Sequence, residues 1–192
     1  EGIPSPISGI YASEAKVNRR PVAVMFDNHP NARWQSGLSQ AEVVYEFLVE
    51  APYTRYMGIY LIQEPNSIGP IRSSRPYFVS TLLEYDPIYV RVGGSAQAKK
   101  DILQLKIADI DGLSSSNAIL WKNKNVNKKA PHNTYTSMEA IRKTQIDRGY
   151  KLVGEYEGFK FHEEDEDLNG LNANKIVINY YKDNITSYTY NP

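Results

Sequence analysis

Apolar positions fall into short blocks separated by polar turns, and their spacing predicts most of the secondary structure. Val22 to Phe26 form an unbroken apolar run closed by Asp27, Asn28, His29 and Pro30, as in a buried strand running into a polar loop. "AEVVYEFLVE" and "YTRYMGIYLI" follow, joined by a short Pro-containing link, which predicts an antiparallel hairpin. At a period of two, Glu46, Leu48 and Glu50 then share one face. Beyond the loop "QEPNSIGP", a helix is predicted from Ser73 or Ser74 through Leu83. A serine would cap it, Pro76 would lie in its first turn, and Tyr77, Phe78, Thr81 and Leu82 would face inward.

"DPIYVRVGGSAQAKKDILQL" predicts a strand, a Gly-Gly turn and a helix capped by Ser95. Residues 72–105 thus form a helix–strand–helix run, the pattern of an α/β sheet with crossovers. "DIDGLSSSNA" is expected to be loop. A third helix begins with Thr136 and Glu139 at capping-box spacing and ends at Gly149. After Tyr150 the pattern changes: "EGFKFH" suits a short strand, "EEDEDLNGLNAN" an acidic linker, and "KIVINYYKDNITSYTYNP" a hairpin. The expected organisation is an extension over 1–17 and an α/β domain over 18–162, a mixed sheet with helices packed on it. An acidic linker over 163–174 then leads to the start of an incomplete β-rich second domain at 175–192.

Composition narrows the class. The chain has 192 residues, 41% apolar and 23% charged, which suits a globular fold. No run approaches the ~18 apolar residues of a membrane-spanning helix. Lys+Arg and Asp+Glu both number 22, and residues 1–150 hold 18 basic against 14 acidic side chains, too small a surplus for a nucleic-acid partner. Cysteine is absent, so disulfides, thiolate nucleophiles and Cys-bound metal are excluded within this chain. The opening "EGIPSPISGIYA" reads as a trimmed or processed end, with any targeting signal out of view. The 15 tyrosines suit sugar or protein contacts and serve equally as strand formers.

Chemistry concentrates at "GPIRSSRPYF". Arg72 and Arg75 flank Ser73 and Ser74 at a predicted helix start, where unpaired N–H groups and guanidinium forks favour an oxyanion. The alternative is that the arginines pair internally with Glu46, Glu50 or Asp86. "RVGGSAQA" brings Gly94 and Ser95 to a strand's carboxyl end, where ligands bind in open α/β sheets. It has neither a Walker loop nor a dinucleotide fingerprint nor a nucleophile elbow. Asp27 and Asn28 would lie at such an end too, if the strands run parallel. His132 and Asn133 sit in a loop before the third helix. The three histidines lack metal-ligand spacing, and no cofactor is implied. Asp27, Glu46 and Glu50 are the candidate carboxylates; they serve either a reaction or the neutralisation of Arg55, Arg72 and Arg75.

Four stretches resemble the YerB-like family of predicted bacterial lipoproteins: "RPVAVMFDNHPNARWQSGLSQAEVVYEFLVEAPYTRY", "GPIRSSRPYFV", "YVRVGGSAQA" and "APHNTYTS". They cover most of residues 18–150 in order, and "KIVINYYKDNITSYTYNP" is similar to the start of that family's C-terminal domain. The resemblance implies an upstream signal peptide and lipid-modified cysteine, hence export and anchoring on the outer face of a Gram-positive cytoplasmic membrane. It implies no reaction. Its pattern directs attention to Asp27, Asn28, Glu46, Glu50, Thr54, Arg55, Arg72, Ser73, Arg75, Gly94, Ser95, His132 and Asn133.

The expectation is therefore an envelope protein that binds an anionic or polyhydroxylated ligand, such as a wall-polymer fragment, with Arg55, Arg72 and Arg75 as donors. The first rival is a hydrolase or transferase acting on envelope glycans or phosphodiesters, with Asp27 or Glu46 as acid or base and His132 as proton carrier. The second is a scaffold that docks another envelope protein. A nucleic-acid partner is not expected, and membrane contact would come only through the lipid anchor.

Overall fold

The computed structural model describes residues 2–162 and 170–191, so residues 163–169 of the predicted acidic linker lie outside the described part. The chain opens with β1 (Ile3–Pro4), β2 (Tyr11–Ala12) and the short α1 (Glu14–Val17). Ile7 and Val17 are buried, which ties this stretch to the body.

Val22 through Phe26 are fully buried, as a strand covered on both faces must be. They form β3 (Val22–Asp27), the middle strand of a five-stranded sheet. On one side lie β5 (Thr54–Tyr60) and then β4 (Val43–Leu48); on the other lie β6 (Ile88–Arg91) and then β7 (Ala108–Asp111). β3 runs antiparallel to β5 and parallel to β6, β7 is parallel to β6, and β4 and β5 form the predicted hairpin. The fold is thus mixed α/β.

Alternation along the strands divides the core in two. Ala23, Met25, Met57, Ile59 and Tyr89 face α2 (Pro76–Leu82) and α3 (Ala96–Gln104), where Phe78, Val79, Leu82, Ala98 and Ile102 cover them. Val22, Val24, Phe26, Ile88, Val90 and Ile110 face α4 (Met138–Asp147) through Met138 and Ile141, with Ile68 and Ile71 beside them. Burying a side chain of this size contributes about 1.5–3 kcal/mol, which is why the sheet rather than the loops sets the architecture.

Four local expectations need correction. Residues 108–111, the last three of them expected as loop, are β7. Ala108 and Ile110 enter the core while Asp109 and Asp111 bond Arg91 on the neighbouring strand, so the partner that satisfies them is invisible locally. Neither Ser73 nor Ser74 caps α2. Its N-cap is Arg75 in extended conformation, Pro76 takes the first helical position, and Tyr77 is half-exposed while Val79 faces inward. For α4 the cap is Ser137, whose Oγ accepts the Ala140 N–H, while Thr136 Oγ1 donates to the Ile119 carbonyl. Gly149 follows the helix with φ +66°, as its cap position requires. "EGFKFH" forms no strand. Phe159 N–H donates to the Pro6 carbonyl, and a proline has no N–H to return.

β8 (Trp121–Lys122) and β9 (Thr134–Tyr135), an antiparallel pair, lie between β7 and α4, and the predicted hairpin of β10 (Lys175–Tyr181) and β11 (Asn184–Thr189) follows α4.

One feature of the sheet positions the site. β3 and β6 pair only through Val22–Val24 and Ile88–Val90, then diverge. Residues 70–74 fill the opening between them. Asp27 N–H donates to the Pro70 carbonyl and Arg72 N–H to the Met25 carbonyl, on the β3 side. On the other side Val92 N–H donates to the Arg72 carbonyl and Ser74 N–H to the Gly93 carbonyl. "GPIRSSRPYF" is therefore a wedge between parallel strands at their carboxyl ends, where open α/β sheets bind ligands.

Candidate functional site

Asp27, the last residue of β3, is 3% exposed, and both of its carboxylate oxygens are engaged. Oδ1 accepts the His29 N–H at 2.9 Å. Oδ2 lies 2.7 Å from His132 Nδ1 and 2.9 Å from Arg72 Nε. The arginine contact is an ion pair without hydrogen-bond alignment. A carboxylate at Nδ1 fixes the proton there, so a neutral His132 carries its lone pair on Nε2. That atom has no hydrogen-bond partner among the described residues, and the His132 side chain is 13% exposed. Arg72 has a side chain 27% exposed, and its two terminal nitrogens likewise have no partner among the described residues.

His29 stacks on His132 with ring centroids 4.7 Å apart, and Tyr53 leans on its other side at 4.6 Å. The Nδ1 of His29 accepts the Asn31 N–H, which puts the proton of a neutral ring on Nε2. Burial, and next the adjacent His132, hold the His29 pKa below its ordinary value, with Arg72 and Arg33 adding to the effect against Asp27. The sequence marked His29 only as a neighbour of Asp27; nothing local signals the stack.

A second cluster adjoins the first, because Asp27 and Arg55 are register partners across β3 and β5. Arg55 donates to Glu50 Oε2 and to both the carbonyl and the Oγ of Ser73, each at 3.0 Å. Arg75 donates to Glu50 Oε1 and to the Ser74 carbonyl. Burial opposes ionisation of Glu50, yet the Arg75 bond and the charges of Arg55 and Arg75 hold its pKa below the ordinary value. Burial, and then Arg75, lower the pKa of Arg55. Two of the three candidate arginines are thus engaged by one carboxylate. Asp86, the other suggested partner, bonds Arg20 instead.

Glu46 and Glu50 do not share a site. β4 ends at Leu48, and the Glu46 carboxylate turns to hydroxyls: Thr54 Oγ1 donates at 2.6 Å and Thr186 Oγ1 at 3.2 Å. Asn28 donates to the same Thr54 hydroxyl at 2.8 Å. Tyr180 donates to the Glu46 carbonyl and Asn184 to the Pro52 carbonyl, so the β10–β11 hairpin covers this third cluster. Burial, and then the Glu46 charge, push the Tyr56 hydroxyl up to about 12, which keeps it a donor.

The remaining candidates have structural partners. Ser95 Oγ accepts the Ala98 N–H as the cap of α3, and Gly94 bridges to Ser74. The Asn133 carbonyl accepts the Asn123 N–H, while its side-chain Oδ1 is buried without a partner. Among the described residues no three His, Asp or Glu side chains are grouped to hold a metal ion, and no helix is long and apolar enough to cross a membrane.

Chemically, the open part of this end of the sheet offers two free guanidinium nitrogens, one ring N–H from His29 and one basic ring nitrogen from His132. Around it Asp27 and Glu50 oppose Arg55, Arg72 and Arg75, with Arg33 near His29, so positive charge is in excess.

Comparison with known proteins agrees with this architecture. The chain is 37% identical over 183 residues to the Bacillus subtilis (strain 168) protein named "Putative lipoprotein YerB", covering 95% of this chain and 54% of that one. The crystal structure of the YerB protein from Bacillus subtilis matches with a TM-score of 0.87 at 34% identity, over 98% of this chain and 63% of that one. The chain thus spans about half the length of the curated relative it matches. Residues 7–151, which hold the sheet and all thirteen residues discussed above, match the family described as "Protein of unknown function (DUF3048) N-terminal domain". The chain belongs to that family and is YerB-like.

Proposed function

We propose that this chain is the N-terminal part of a lipid-anchored, extracytoplasmic envelope protein that binds an anionic group at the wedge between β3 and β6. Arg72 carries the proposal. Its Nε lies 2.9 Å from the buried Asp27 carboxylate in an ion pair, while its terminal nitrogens, without a partner among the described residues, can donate to a forked pair of oxygens. The ring Nε2–H of His29 adds a neutral donor nearby, and the surplus positive charge favours phosphate or carboxylate over an uncharged sugar. The lipoprotein name of the relative supports the envelope setting.

The test is a thermal-shift screen of inorganic phosphate, sulfate, nucleotides, muropeptides and teichoic-acid fragments on wild type and Arg72→Ala. An anionic ligand should raise the midpoint of the wild type and leave the variant unmoved. Equal shifts in both proteins, or none in either, would remove the anion from Arg72.

A further inference from the structure

We infer that the wedge is a catalytic site for phosphodiesters, in which His132 is the general base and Arg72 the clamp on the non-bridging oxygens. The inference rests on the anion-binding reading above and extends it to a reaction.

The carboxylates decide against glycoside cleavage, which needs two acids across one bond. Both oxygens of Asp27 are taken by His29, His132 and Arg72. Glu50 is taken by Arg55 and Arg75, and Glu46 lies among hydroxyls beneath the hairpin. What remains open is an imidazole nitrogen next to a two-pronged cation. An aspartate that holds Nδ1–H, leaving Nε2 to take a proton, is the arrangement by which carboxylate–histidine pairs activate oxygen nucleophiles. A phosphodiester carries a single negative charge on two equivalent oxygens, which matches one forked guanidinium.

In the reaction, a water oxygen forms a bond to phosphorus as its proton passes to His132 Nε2. The bond from phosphorus to the leaving alkoxide breaks, and that alkoxide takes the proton back from Nε2. Diester and water become monoester and alcohol, with no net change at the protein. Arg72 stays charged throughout, and the ring Nε2–H of His29 meets the charge that builds on the phosphoryl oxygens. Asp27 acts through His132 and is a positioning residue.

The experiment follows p-nitrophenolate release from bis(p-nitrophenyl) phosphate by the full chain, alongside calorimetric titration with inorganic phosphate. Wild type should turn over, and His132→Gln should lose at least about 10²-fold in rate while still binding phosphate. Asp27→Asn should lose rate with it. The wild-type pH profile gives a readout that needs no variant: a reaction that runs through a general base slows on the acid side. The groups facing that ring are Asp27, His29 and Arg72, with Arg33 beyond His29 and the Lys129 carbonyl accepting the His132 N–H. Phosphate binding without turnover, a rate unchanged in His132→Gln, or a flat rate between pH 5 and 8 would overturn catalysis and leave the binding reading standing. Absence of both binding and turnover would overturn the two together.

Discussion

His132 Nδ1 lies 2.7 Å from Asp27 Oδ2, although the two residues are 105 positions apart in the chain. The same oxygen holds Arg72, so one buried atom organises a loop, a strand end and the wedge segment. Asp27→Ala should therefore cost about 1–3 kcal/mol in urea unfolding. That range discounts the value for breaking a buried pair because the guanidinium reaches water. A loss under about 0.5 kcal/mol would mean that the three groups are held by their backbones alone.

Glu50 separates an internal network from a ligand site. Its folded pKa lies below the ordinary 4.5, so its contribution to stability is present above that value and is lost as pH falls through the lowered one. Glu50→Gln should flatten this acid limb in thermal melts recorded from pH 3 to 6. It should also free Arg55 and Arg75 and tighten phosphate binding roughly two- to five-fold. Weaker binding in the variant would show that Glu50 orders the donors rather than competing for them.

Gly69 has φ +150°, and a Cβ there would meet the Thr134 carbonyl at 2.8 Å and the Tyr135 ring at 2.9 Å. Gly69→Ala should cost about 1–3 kcal/mol and weaken anion binding, since the wedge begins at the next residue. Gly149, with φ +66° and nothing within 4 Å of an added Cβ, gives the control. Gly149→Ala should cost only the backbone term of about 1–2 kcal/mol and leave binding unchanged. Urea midpoints and phosphate titrations on the pair check both statements.

The β10–β11 hairpin is held to the sheet by Asn184 and Thr186. Replacing both with Ala removes one bond to a backbone carbonyl and one to the Glu46 carboxylate, about 2–4 kcal/mol of local stability. Amide exchange should quicken across residues 175–189 while β3 stays protected. Equal acceleration in β3 would show that the hairpin and the sheet unfold as one unit.

The apolar pattern made the sheet legible where strands were continuous, as in Val22–Phe26, and where a helix had a plain cap, as at Ser95. It failed at β7, because Asp109 and Asp111 look like loop residues until Arg91 on the next strand is known. The donor surplus at "GPIRSSRPYF" pointed to an anion, but which acid answers which arginine depends on register and on crossovers. Arg75 meets Glu50 because the hairpin folds back, and Arg72 meets Asp27 because the wedge enters beside β3. The His29–His132 stack joins two loops a hundred residues apart, and no local spacing encodes it.

That separation also bears on the order in which the site comes into being. A chain emerging from the ribosome amino end first has Asp27 and Arg72 available long before His132 has been made. A truncated or half-folded chain therefore has an acid and a guanidinium but no imidazole to complete them. A ligand held by Arg72 beside His132 is bound best by the finished protein, and its free energy of binding adds directly to the free energy of folding. The ligand is then a sensor of completion: its affinity is highest once the second half of the chain has closed over the first.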